Sequence, residues 1–386
     1  MKLFKSLLIA PAALGLLAPM SANSNEIDFQ SISTYSDAEF QEVDSDSFNY
    51  SSEKDTLLSG GEGLVDSSDS FSDSFSTTTT ASFSAEAILG AVSTELDAPD
   101  GTEAVSFDYQ YQIGLTSSFT GEDSLSVTID AAGPSGDVDA NDVSLDSGSA
   151  QFFDMDATGD ALVVDGISYT FPVGGSTMMV GDSTDVSAMY TGACAYGGFS
   201  DYISDCGTGN SVGLGSAGAT VAGSYAFDGG FSLAGGISSP NAEILGTNVA
   251  PDIYGIEAAY SAEDYGVSVA FSDQEVATYV GINGFYSFDF GSISAGYEAE
   301  DNEDVEDTSA FFIGLTSEIG PGTAEIGYAS TDMIVFDGQV DETGYLYEVS
   351  YAYPVNDALT ITPGIAIVDV DAGESTVAAV KASFSF

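Results

Sequence analysis

The sequence has no histidine, tryptophan or arginine, and its basic residues amount to four lysines against 61 aspartates and glutamates. Without histidine there is no imidazole for acid/base catalysis or metal ligation. Without arginine there is no bidentate fork for phosphate or carboxylate. The formal charge of −57 over 386 residues excludes nucleic acid as a partner, because binding by phosphate neutralisation needs cations. Serine nucleophile motifs lack the histidine they would require, and no glycine-rich phosphate loop is present. Carboxylate pairs are so frequent that none can be singled out as a glycosidase acid and nucleophile. The chain therefore reads as a non-enzyme with no cofactor. What it does have is a 44 % hydrophobic content and 44 glycines, too apolar for a disordered polyanion.

Lys2 and Lys5 precede a short apolar run, Leu7 to Leu17, which has the pattern of a secretory signal peptide with cleavage expected after Ala22, giving residues 1–22. Lys54 and Lys381 are then the remaining cations. Residues 23–78 form an acidic, serine-rich linker, expected to be disordered, with single aromatics such as Phe29, Tyr35 and Phe40 and no sustained period. A peptidoglycan-contacting or plug segment is the functional alternative for this stretch. No later run is long and apolar enough for a membrane helix, yet spanning strands need only about 9 to 11 residues.

From residue 79 the pattern changes. Val105, Phe107, Tyr109, Tyr111, Ile113 and Leu115 alternate with Ser106, Asp108, Gln110, Gln112 and Gly114, a two-residue period that no helix produces. It recurs at Leu125–Ile129, Tyr265–Phe271, Tyr345–Tyr353 and Leu359–Ile367, with turn signals at Ser272-Asp273, Pro321-Gly322 and Pro354 to Asp357. A soluble sandwich also alternates, but three features favour a membrane barrel. The polar face is made of small residues and acids while the apolar face is rich in Tyr and Phe. The strands exceed the usual 5 to 6 residues of soluble sheets. The chain also ends on an alternating strand, Val380, Ala382, Phe384, Phe386, which looks like the signal read by the outer-membrane barrel-assembly machinery. Residues 79–386 spread over 16 strands allow about 19 residues for each strand and its connection, suited to a wide aqueous lumen. The expected fold is thus all-β, a transmembrane antiparallel β-barrel of about 16 strands.

The leader Met1 to Pro19 resembles that of marine cyanobacterial outer-membrane porins. Ser118–Asp123, Tyr169–Gly174 and Phe288–Tyr297 resemble segments of the same family, the iron-uptake or carbohydrate-selective porins. The resemblance implies an outer-membrane porin, a trimer embedded in lipid, with carbohydrate or inorganic ions including iron as solutes. The family usually carries an S-layer-homology domain with a Trp-Ala pair, which this chain lacks, and known porins line their constriction with basic residues, which a chain without arginine cannot.

Cys194 and Cys206 lie in a glycine-rich stretch, 192–218, that is poor in aromatics. An oxidising periplasm favours a disulfide there over two free thiols. The stretch could fold into the lumen as a constriction or remain an outside loop. Asp154, Asp156, Thr158, Gly159, Asp160 and Asp165 match the front of a calcium loop but end in Asp where a bidentate Glu is usual, so an acidic hairpin turn is the plainer reading and no metal is expected. The run Glu298 to Asp307 reads as a solvated loop. Asp108, Glu257, Asp289, Glu325 and Glu348, opposite in parity to the Tyr, Phe and Ile face, are the candidate pore-lining acids, and would attract cations and repel anions. The expected function is passive, cation-preferring diffusion of small hydrophilic solutes across the outer membrane. The alternative is a secreted acidic coat or adhesin protein without a pore.

Overall fold

The computed structural model describes residues 78–94, 105–133, 153, 158–200, 206, 218–240, 244–245, 252–274, 277–302, 307–331, 343–370 and 373–386. The signal segment and the linker as far as residue 77 lie outside the described residues. Strands β1 (Thr79–Thr94), β2 (Val105–Ser117), β3 (Ser124–Ala132), β4 (Val163–Val173), β5 (Ser176–Thr184) and β6 (Gly218–Ala226) open the barrel. They are followed by β7 (Phe231–Ser239), β8 (Ile253–Ser261), β9 (Tyr265–Asp273), β10 (Ala277–Phe288) and β11 (Gly291–Asn302). The last are β12 (Thr308–Ile319), β13 (Gly322–Thr331), β14 (Gly344–Asn356), β15 (Leu359–Val370) and β16 (Gly373–Ser385). Every strand pairs antiparallel with its sequence neighbours, and β1 pairs with β16, so the 16 strands close on themselves. Closure leaves no unpaired edge, which is the condition for spanning hydrocarbon with strands.

The two-residue period decides which side chains face in. On β8, Ile253, Gly255, Glu257 and Ala259 are buried, while Tyr254, Ile256 and Ala258 are exposed on the outside. On β14, Leu346, Glu348 and Ser350 face in and Tyr345, Tyr347 and Val349 face out. Branched and aromatic side chains thus fill the outer surface, where a soluble protein would carry charge, and small or polar groups fill the inner one. Among the described residues no helix is long and apolar enough to cross a membrane.

One end of the barrel carries the short turns. Gly174 and Gly175 join β4 to β5 with Gly174 at φ 65°, a left-handed conformation that suits glycine in a two-residue hairpin turn. The other end carries the longer connections, including 185–217 between β5 and β6. Aromatic residues collect at the short-turn end: Tyr169 stacks on Phe171, Phe231 packs at a tilt against Tyr260, and Tyr225 meets Phe227 edge-on. Such a girdle marks a bilayer interface. The terminal Phe386 exchanges backbone hydrogen bonds with Phe83 of β1 (2.8 and 3.0 Å), and their rings stack, so the last residue takes part in closing the barrel. Phe384, one dipeptide earlier, pairs with Ala85.

Two local expectations are corrected. Ser272 and Asp273 are not a turn but the end of β9, with Ser272 buried against the wall. Glu298, Glu300 and Asp301 are not a solvated loop but part of β11, because Glu298 and Glu300 continue the alternation with Tyr297 and Ala299. Charge composition hid the period.

Candidate functional site

The connection after β5 enters the barrel. Asp185 caps a single 3-10 turn, Val186–Met189, by accepting from the Ser187 N–H, and Met189 and Tyr190 pack against Met179, Val186, Ala222 and Ile253. From Thr191 to Ser200 the chain then runs along the inner wall as a strap. Its backbone N–H groups are taken up by inward side chains of β8, β10, β11, β13 and β14 in turn. Thr191 and Gly192 donate to the carboxylate of Glu257 on β8 (2.6 and 2.8 Å), and Ala193 donates to Asn283 Oδ1 on β10 (3.0 Å). Ala195 donates to Ser294 Oγ on β11 (3.0 Å) and Gly197 to Glu325 Oε1 on β13 (3.0 Å). At the far end Glu348 on β14 accepts from the Tyr196 hydroxyl (2.6 Å), the Phe199 N–H (2.8 Å), and the Ser200 N–H and hydroxyl (2.9 and 2.7 Å).

Alternate N–H groups of an extended segment point to one side, so a wall that offers acceptors at strand spacing can hold it as a neighbouring strand would. The acceptors here are side chains, three of them carboxylates, and hydrogen bonds to a charged acceptor are about twice as strong as neutral ones. Packing adds to this. A Cβ on inward-facing Gly314 would lie 2.5 Å from the Tyr196 ring, and one on Gly364 2.6 Å from the Phe199 ring. These glycines are the sockets for the two strap aromatics. Phe199 and Tyr196 join a core of inward apolar residues, including Ile88, Phe312, Leu346, Val368 and Val377, and Phe153 meets Phe199 edge-on at 5.1 Å. Burial, followed by the charge of Glu348 and the hydrogen bond to it, pushes the Tyr196 hydroxyl far above the usual tyrosine range, so it remains a donor at all ordinary pH. Burial also raises Tyr190, with the charges of Glu257 and Asp185 adding to it.

Cys194 and Cys206 are joined in a disulfide with their Cα atoms 5.9 Å apart, tying the strap to the segment that follows it. The sequence stretch is poor in aromatics by composition, but Tyr196 and Phe199 are the ones that anchor it.

The candidate pore acids fall into different places. Asp108 faces inward on β2 opposite Ile88 and is buried. Glu257 and Glu348 are 1 % and 4 % exposed beneath the strap, and Glu325 also accepts from Thr316 Oγ1, so all three hold the strap and are not bare charges on the lumen surface. Asp289 is corrected outright: it sits exposed in the turn between β10 and β11, where the two-residue period that places a side chain inside or outside has ended. Of the calcium-loop candidate, Asp154 and Asp156 lie outside the described residues. Thr158 bonds the backbone of Ala132 through its hydroxyl, Asp160 accepts from the Tyr109 hydroxyl, and Asp165 lies on β4. Thr158 and Asp160 thus dock this connection onto β2 and β3. Among the described residues no group of acids and thiols is arranged to hold a metal ion.

No protein-family model and no curated protein matches the chain. Solved structures do. Pseudomonas putida OprB is 13 % identical, covering 80 % of this chain and 94 % of its own, with a TM-score of 0.58. An in-vitro folded, trimer form of OmpT, an outer membrane protein of Vibrio cholerae, is 13 % identical with a TM-score of 0.53, covering 80 % and 100 %. A mutant of the Rhodopseudomonas blastica porin is 16 % identical with a TM-score of 0.50, covering 80 % and 100 %. At these identities the likeness is one of fold: this chain shares the architecture of bacterial outer-membrane porins.

Proposed function

We propose that the chain is an outer-membrane channel for the passive diffusion of small hydrophilic solutes, with a preference for cations. The observation that carries the reading is the closed 16-strand barrel with an apolar outer wall and a strap laid along the inner wall, the arrangement expected of a barrel whose lumen is narrowed by an internal loop. Signal peptide 1–22 and linker 23–78 fit delivery to that membrane. A homotrimer is supported by the trimer form of the Vibrio cholerae neighbour. Cation preference rests on the charge count: once residues 1–22 are removed, 61 acids face only Lys54 and Lys381, so the vestibules of the mature chain would be net negative however they are arranged. Iron and carbohydrate come only from the family resemblance, and no ordered ligand set among the described residues selects either. The coat-protein alternative is disfavoured by the outer surface, where Tyr254, Ile256, Val267, Val269, Phe271 and their neighbours would face water.

Planar-bilayer recording on the purified protein tests this. Stepwise conductance is expected, with reversal potentials showing strong cation preference in dilute KCl. The preference should weaken as the Debye length falls from about 10 Å at 0.1 M to about 3 Å at 1 M. Absence of conductance, or anion preference in dilute salt, would overturn the reading.

A further inference from the structure

Lys381 is the one basic residue in residues 79–386, and its placement is specific. It shares the inward parity of the buried Val377 and Ala379 on β16. It lies opposite Ile88 of β1 and Thr362 of β15. Its Nζ is 3.9 Å from Glu86 Oε1, and Glu86 also accepts from Ser383 Oγ (2.9 Å). The side chains of Lys381 and Glu86 are 21 % and 41 % exposed, so both still face solvent within the barrel. An ion pair this exposed adds little to stability. In the channel reading its field at the lumen wall is another matter, because low-dielectric walls focus it.

We infer that Lys381 is a specificity-determining residue of the channel, the fixed cation that offsets Glu86 and holds down the cation preference of the lumen. The inference rests on the channel reading. It is independent of the strap glutamates, whose charge is already answered by the N–H groups of residues 191–200.

Reversal potentials in dilute KCl decide it. Lys381→Gln leaves Glu86 uncompensated, and the cation-to-anion permeability ratio should rise about twofold or more. Glu86→Gln leaves Lys381 uncompensated, and the ratio should fall. Lys54→Gln makes the same change in total charge in the linker and serves as the control. A Lys381→Gln ratio equal to that of Lys54→Gln overturns the inference. If Lys381→Gln fails to assemble, Glu86→Gln decides alone, and an unchanged ratio there overturns it. A wild-type protein that carries no current defeats the channel reading instead.

Discussion

Two arcs of the barrel wall, β8 to β14 and β16 through β1 to β2, obey the same inside-outside alternation, but their inner charges meet different partners. On the first arc Glu257, Glu325 and Glu348 meet the backbone of the strap, together with Asn283 and Ser294. On the second, Glu86 meets a side-chain cation from the neighbouring strand. Parity puts a carboxylate inside, and what is laid against it then decides whether it lines a path, anchors a loop or balances a lysine. A buried carboxylate must have donors, because an ionised group taken from water without them is prohibitively costly. In a chain with almost no cations the donors have to be N–H and O–H groups, and an extended loop with one edge turned to the wall is an economical source of them.

The comparison breaks most visibly at Glu348. Glu348→Ala removes the acceptor of the Tyr196 and Ser200 hydroxyls and of the Phe199 and Ser200 N–H groups. The far end of the strap should loosen by about 4 kcal/mol, given 1–3 kcal/mol for each buried donor left unmade and partial rescue by water. Hydrogen exchange at Phe199 and Ser200 should accelerate strongly, and open-channel noise should rise. Glu86→Ala, the same deletion on the other arc, should leave exchange in the strap unchanged. Equal effects from the two would mean that both carboxylates do the same work.

The disulfide ranks next. Cys194 and Cys206 are 12 residues apart, and opening a ring of that size costs about 3 kcal/mol in the chain-entropy account. Cys194→Ser with Cys206→Ser should lower the thermal midpoint of the detergent-purified protein and speed exchange along residues 191–200. The carboxylate contacts remain, so a strap still docked is the expected state. Complete loss of protection there would show that the disulfide, and not the acceptor series, holds the strap in place.

The barrel was legible in the sequence because alternation is a local signal: the run Val105 to Leu115 lies within β2, and Tyr345 to Tyr353 within β14. Inward parity was legible on the strands for the same reason. The strap was not, beyond the general possibility of a loop in the lumen, since its partners are remote. Tyr196 needs Gly314 and Phe199 needs Gly364, more than a hundred residues away, and glycine on an inner face looks like any small residue until something is packed on it. Glu348 lies 148 residues from Ser200, so nothing in the spacing distinguishes an anchor from a pore acid. Asp289 failed for a simpler reason, being read as a strand position although it occupies a two-residue turn. The terminal Phe386 was noticed for its place in the chain, whereas its pairing with Phe83 became visible only in three dimensions.

The smallest expected effect is at Asp123, in the turn between β2 and β3. Its carboxylate accepts from the Tyr169 hydroxyl (2.7 Å), the N–H groups of Phe119 and Thr120, and the hydroxyls of Ser118 and Thr120. Tyr169 foremost, and then Thr120 and Ser118, hold the carboxyl well below its ordinary value of 3.8 against the opposing effect of burial. A carboxylate whose folded pKa is depressed contributes stability that is fully present above its unfolded pKa and is lost as pH falls through the folded one. Wild type should therefore exceed Asp123→Asn in thermal midpoint by a small, constant margin from pH 7 down to about pH 4, and the margin should close only in stronger acid. Strap exchange should be the same in both proteins. A margin that closes between pH 7 and 5 would assign the effect to some other group, and a change in strap exchange would mean that the turn end and the strap are coupled through the wall.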